Sequence, residues 1–123
     1  MHGQCKMKIP GGEFAFVDLA KLRDYCLNPS HSEGKHKARF FASVLGLSAV
    51  DSDFLRDELL YAARVLEAEI RDTDKYGDRY VLDFPITKGN RTATVRSAWI
   101  IRLGNRIPHL TSCYVLLRGG QND

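Results

Sequence analysis

No stretch of this chain approaches the ~18 consecutive apolar residues that a membrane-spanning helix requires, and no hydrophobic run follows its charged start to make a signal peptide. A cytoplasmic protein without a membrane partner is expected. Cysteine is scarce: Cys5, Cys26 and Cys113 are odd in number, far apart, and lack the CxxC spacing of a zinc or redox site. Reduced thiols are expected, with Cys113 packing as a small apolar residue. There is no phosphate loop, no GxGxxG, no HExxH and no carboxylate cluster of the kind that holds magnesium. His31 and His36 lack a Cys or carboxylate pair at matching spacing, so neither a metal nor a cofactor is expected. Charge of one sign is also missing: 18 basic residues face 15 acidic ones, a formal net charge of +3. That balance argues against a dedicated duplex-DNA binder and makes any polyanion contact a local one.

What is present suits one globular domain over residues 1–123, with 44% hydrophobic and 27% charged residues. Residues 1–12, ending in Ile9-Pro10-Gly11-Gly12, read as a leader or edge segment closed by a turn, and 118–123 as a frayed tail. Phe14 and Phe16 alternate as in a very short strand. Asp18 is placed to cap a short helix carrying Leu19, Leu22 and Tyr25, which Asn28-Pro29 stops. From Ser32 to Leu45 the spacing of Ala38, Phe41 and Leu45 makes one helical face, ended by Gly46. Ser48 or Asp51 then caps a longer helix from Ser52 to about Glu69, with a stripe of Leu55, Leu59, Ala62, Leu66 and Ile70.

Beyond it the apolar period becomes two. Strands are expected over Arg79–Ile86, Thr92–Leu103 and Ile107–Leu117, with turns at Tyr76-Gly77-Asp78, Lys88-Gly89-Asn90 and Gly104-Asn105. If Ile70–Lys75 also pairs, the sheet is a four-stranded antiparallel meander. The fold class is therefore α+β, with two to three N-terminal helices packed on a C-terminal sheet of about four strands.

Chemistry concentrates in two places. Lys35, His36, Lys37 and Arg39 crowd the start of a helix beside His31, where acidic residues are the usual choice, and an anion such as phosphate would relieve the conflict. A solvated basic face, with Ser30 or Ser32 as cap, is the plainer reading. Lys37 precedes Phe40 and Phe41 by three and four residues, so its stem follows the apolar edge while its ammonium points back towards His31.

The second place is the last hairpin. A two-residue loop at Gly104-Asn105 pairs Arg96 with Cys113, Ala98 with Thr111 and Ile100 with His109, setting Arg96, Thr94, Thr111 and His109 on one face. Val95, Ser97, Trp99, Leu110, Ser112 and Tyr114 then share the face under the helices. A three-residue loop pairs Arg96 with Ser112 and puts Ser112 and Tyr114 in its company instead. A cross-strand partner would explain Arg96 as well as a ligand would, and His109, beside Pro108, reads as a rim residue.

The run Tyr25-Cys26-Leu27-Asn28-Pro29-Ser30-His31, then Gly34-Lys35-His36-Lys37-Ala38-Arg39-Phe40-Phe41, resembles the opening motif of an uncharacterised bacterial domain family. That family typically reads Tyr-Leu-Leu-Asn-Pro, His, a glycine pair and Lys-Ala-Lys-Phe-Phe. Tyr76-Gly77, the strand Arg91–Ile101 and Ile107-Pro108 leading to Tyr114 agree in order. Cys26 and Ser32-Glu33 depart from the pattern. Members occur as small free-standing proteins, often beside another small gene, and as C-terminal parts of polymorphic toxins. The resemblance thus implies a toxin-like module with a small antitoxin or immunity partner. Helices followed by a meander are also similar to the barnase, EndoU, colicin and RelE group of ribonucleases, an analogy of fold alone.

The expected activity is metal-independent cleavage of RNA or tRNA. His31 would transfer protons, Lys37 and Arg96 would stabilise charge, and Thr111, Ser112 or Tyr114 would orient the phosphate or donate a proton. Lys35, His36, Arg39, Thr94 and His109 would face substrate. This reading requires His31, Lys37 and Arg96 to meet around one phosphate, on the order of 3 to 7 Å apart. The rival is a non-catalytic interaction domain, an immunity-like or adaptor protein binding a small partner through an exposed apolar patch.

Overall fold

The period-two half of the chain folds as a continuous meander. In the computed structural model, whose described residues are 6–117, β2 (Glu67–Asp74), β3 (Gly77–Lys88), β4 (Arg91–Arg102) and β5 (His109–Val115) pair antiparallel in chain order. A fifth strand, β1 (Lys6–Lys8), lies on the outer edge of β2 and pairs Met7 with Ala68. The sheet therefore has five strands where four were expected. All three β1 side chains are exposed, so no apolar alternation announces it. Residues 1–5 of the leader and the expected frayed tail, 118–123, lie outside the described residues.

Three helices stand between β1 and β2. α1 (Leu19–Lys21) starts where the Asp18 carboxylate accepts the Ala20 N–H at 3.0 Å, and it widens into a π-helical turn, Leu22–Cys26. α2 (Lys35–Phe40) widens in the same way over Phe41–Leu45 and closes at Gly46, whose φ of 70° is left-handed. α3 (Ser52–Val65) follows a turn in which Asp51 accepts the Ser48 N–H at 2.9 Å. This last helix is shorter than its helix-forming residues suggested. Leu66 is already extended, and Glu67 to Glu69 join the strand offered for Ile70 onward, because pairing with β1 and β3 outweighs their helical propensity. Ile70 leaves the helical stripe accordingly and is exposed. Nor do Phe14 and Phe16 make a strand: Gly12–Phe14 is a 3-10 turn, and Phe16 forms a single parallel bridge with His109.

The inner face of the sheet carries Leu82, Phe84, Ile86, Val95, Trp99, Cys113 and Val115, which pack against Leu22, Cys26, Phe41, Leu45, Leu55 and Leu59 from the helices. Among these apolar groups Ser97 is fully buried. Its hydroxyl donates to the Leu82 carbonyl at 2.8 Å and accepts the Trp99 Nε1–H at 2.9 Å, so one oxygen lets the indole be buried without an orphan donor.

The β4–β5 register follows neither expected alternative throughout: it keeps the Ile100–His109 pair of the two-residue count and the Ser112 and Tyr114 company of the three-residue count. The turn at Leu103-Gly104 is followed by Asn105, whose side-chain oxygen accepts the N–H groups of Arg106 and Ile107, and β5 begins only at His109. Ile100 pairs with His109 and Trp99 with Leu110, but the next pair is Ala98 with Ser112. Thr111 is the extra residue of a β-bulge, and beyond it Ser97 faces Cys113 and Arg96 faces Tyr114. Arg96 thus pairs with neither Cys113 nor Ser112. Ser112 and Tyr114 move to its face, and Cys113 turns inward.

Removing the Ser97 hydroxyl strands the indole N–H in the core. Ser97→Ala is expected to lower unfolding free energy in urea by about 1–3 kcal/mol, and adding Trp99→Phe to recover part of that loss beyond the cavity it leaves. Additive effects of the two substitutions would show that the hydroxyl does not serve the indole.

Candidate functional site

The turn between α1 and α2 is built by close approach. Gly34, at the start of α2, has the Tyr25 carbonyl where a Cβ would stand, so the first turn of α2 lies against the last turn of the α1 segment. That contact brings Lys37 over Tyr25. The Lys37 Nζ donates to the Tyr25 hydroxyl at 3.0 Å and lies 5.9 Å from the centre of the Tyr114 ring, between two phenols. The Lys21 ammonium stands 5.8 Å from the Tyr25 ring centre. Among the described residues, Lys37 forms no ion pair.

Arg96 does have a partner. Its Nε and Nη2 donate to the two carboxylate oxygens of Asp83, each at 2.8 Å, in a two-pronged pair across β3 and β4. Hydrogen bonding to Asp83 raises the guanidinium above its ordinary pKa, against the opposing pull of burial, with the Tyr114 hydroxyl as a further stabilising neighbour.

Lys37, Arg96 and Tyr114 share a cleft of about 390 Å³, lined also by His36 and Phe40 of α2 and by Val115 and Leu116. The lining combines cationic with apolar residues.

Of the residues expected at a site, Lys37, Arg96, Tyr114 and His36 come together there. His31 does not line the cleft. Its Nδ1 accepts the N–H groups of Glu33 at 3.0 Å and Gly34 at 2.9 Å, which fixes a neutral ring as the Nε2–H tautomer and folds the loop. It meets Lys37 only through Tyr25, on whose ring it packs edge-on at 4.8 Å between centroids.

Lys35 and Arg39 are exposed on α2 outside the lining, and Thr94 borders a neighbouring hollow that shares Leu116. Thr111 spends its hydroxyl on the Ala98 carbonyl at 3.1 Å. Ser112 Oγ is buried without a hydrogen-bond partner and is not part of the lining. His109 lies four residues along from the level of Arg96, about 13 Å away, against Phe16 at 5.2 Å between centroids. Among the described residues, no three His, Cys, Asp or Glu side chains are grouped to hold a metal ion.

Tyr25 and Asp83 were missed as site residues. Tyr25 reads as one more apolar position of α1. Asp83 was legible: counting back from the Gly89-Asn90 loop, which closes with Lys88 opposite Arg91, lands Asp83 opposite Arg96.

The thiols of Cys26 and Cys113, each next in sequence to one of the phenols, are both fully buried. They are far apart in sequence but neighbours in the core: the hydrogen bond that the Cys113 S–H donates to Cys26, together with burial, pushes the Cys113 thiol up.

Residues 8–117 match the family described as Domain of unknown function (DUF6883), and the chain belongs to that family. No curated protein and no solved structure matches it.

Two measurements test this geometry. In a double-mutant cycle of Asp83→Ala and Arg96→Ala, a coupling of about 1 kcal/mol is expected, and a value near zero would mean that the pair is not held in this geometry. Iodoacetamide on the native protein should leave Cys26 and Cys113 unmodified, while in urea both react; rapid native labelling of either would contradict the packing.

Proposed function

We propose that the cleft between α2 and the β4–β5 strands is the site of a metal-independent endoribonuclease of toxin type. The observation that carries this reading is the Lys37 ammonium, half-buried between Tyr25 and Tyr114 without a carboxylate partner among the described residues, in one cleft with Arg96 and an imidazole. A cation held in this way is available to an anion, whereas the charge of Arg96 is already balanced by Asp83.

The chemistry assigns the groups as follows. His36 removes the proton of a ribose 2′-hydroxyl, whose oxygen attacks the adjacent phosphorus. Lys37 and the outward edge of Arg96 hold the charge that builds on the phosphoryl oxygens. The Tyr114 hydroxyl protonates the departing 5′-oxygen, leaving a 2′,3′-cyclic phosphate. His31 keeps a positioning role through Tyr25. A small protein that neutralises such a toxin would cover the cleft and answer Lys37 with a carboxylate.

A second reading, the interaction domain, is favoured by one separate observation: Phe14 is 67% exposed and Phe16 50%, with Phe16 packed on His109 at the start of β5. An apolar surface of that kind suits a partner protein.

Purified protein incubated with bacterial RNA in excess EDTA distinguishes the two. Discrete cleavage is expected, falling at least about a hundredfold in Lys37→Ala and His36→Ala and far less in Lys35→Ala. RNA left intact by the folded wild-type protein would reject the nuclease in favour of the interaction domain.

A further inference from the structure

Phe40, the last residue of α2, and Phe41, the first of the wider turn after it, part company. Phe41 is fully buried in the core, while Phe40 remains 36% exposed and lines the cleft beside Val115 and Leu116. Phe40 is three positions on from Lys37, so both sit on one helical face with their Cβ atoms about 5–6 Å apart. An anion alone would be served by Lys37 and Arg96 and would leave the aromatic wall idle. A ligand that is anionic at one end and flat and apolar at the other uses both.

The volume sets the scale. At about 390 Å³ the cleft is near the lower end of the roughly 300–1,000 Å³ of small-molecule sites, room for a single base with its phosphate and not for a base pair. Bases inside an A-form duplex keep their faces stacked and offer none to a side chain, whereas unpaired bases stack on exposed aromatics.

We propose, resting on the ribonuclease reading above, that the cleft receives one unpaired nucleotide of an RNA strand, its phosphate at Lys37 and Arg96 and its base stacked on Phe40. The substrate class is then single-stranded RNA, such as loops and ends, rather than duplex. Phe40 is the residue that selects it.

The test uses binding without turnover. A fluorescent single-stranded oligonucleotide with 2′-O-methyl riboses, which no 2′-hydroxyl attack can cleave, is titrated by anisotropy beside an abasic strand of the same length and the corresponding duplex. Binding of the base-containing strand is expected to weaken about tenfold in Phe40→Leu, which keeps apolar bulk but has no ring face, and to persist in Phe40→Trp. The abasic strand and the duplex should bind as weakly as the Leu variant binds the full strand, and Phe40→Leu should not weaken them further.

Equal affinity for the abasic and base-containing strands, with both lost in Lys37→Ala, would overturn the stacking inference and leave the phosphate site standing. No binding of any oligonucleotide by the folded protein would remove the ribonuclease reading and this inference together. A phosphotyrosine peptide bound in preference to every oligonucleotide, and lost in Phe40→Leu, would also overturn the inference by giving the same cleft to a protein ligand.

Discussion

One extra residue in β5 governs the candidate site. Up to Trp99 and Leu110 the last hairpin pairs with one count, and past Thr111 with another. Because side chains alternate strictly along a strand, a single-residue offset exchanges the two faces for everything beyond it. Without the bulge Cys113 would stand opposite Arg96, and Tyr114 would be driven under the helices into a core that already holds Phe41, Trp99 and Leu22. With it, a small thiol fills the core and the phenol reaches the outer face. The Thr111 hydroxyl, bonded to the Ala98 carbonyl, ties the extra residue back to β4.

The bulge also decides which charge is available. Tyr114 arrives between Arg96 and Lys37, two cations in quite different states. Arg96 is bound at both prongs by Asp83, directly across the β3–β4 ladder, and acts as a fixed wall. Among the described residues, Lys37 forms no ion pair; it bonds a phenol oxygen and stands near two ring faces. Phenol rings stabilise an ammonium without neutralising it, so the positive field in the cleft comes chiefly from the lysine. Of the two cations, the one without a counter-charge is the better candidate to meet a ligand.

Much of the fold was legible in the sequence because it rests on periodicity. The helical stripe of Leu55, Leu59 and Ala62 and the alternation of Tyr80, Leu82 and Phe84 each point to one buried face, and the helices-then-meander order follows. What escaped was set by pairing between distant segments. β1 is too short and polar to read alone, and Glu67 to Glu69 look helical until β1 and β3 flank them, although pairing beyond Ile70 was legible. The bulge escaped for a related reason: nothing in the string Leu110-Thr111-Ser112 marks an unpaired residue, since both hydroxyl side chains suit either face. Within the candidate site, the meeting of Lys37 with Arg96 was legible, but the place of His31 outside the cleft was not, because an imidazole that folds its own loop and one that faces a cleft have the same local sequence.

That loop explains what the motif from Tyr25 to Phe41 accomplishes physically. Asn28 donates to the Asp24 carbonyl and accepts the Ser30 N–H, ending the α1 segment in a fixed direction. His31 gathers the N–H groups of Glu33 and Gly34 and turns the chain back. Gly34 lets the returning backbone touch the Tyr25 carbonyl, Ala38 is small enough to be buried where α2 meets the core, and Phe41 anchors the far end beneath Trp99's face of the sheet. Each of these residues is satisfied by the chain itself and has little left to offer a ligand. Lys37 and Phe40 differ: one has a charge without a counter-charge, the other a ring only partly covered, and both border the same cleft. Read by its physics, the motif is a scaffold whose output is a lysine and a phenylalanine held one helical turn apart. That division of labour favours recognition at α2 over recognition by the histidine loop.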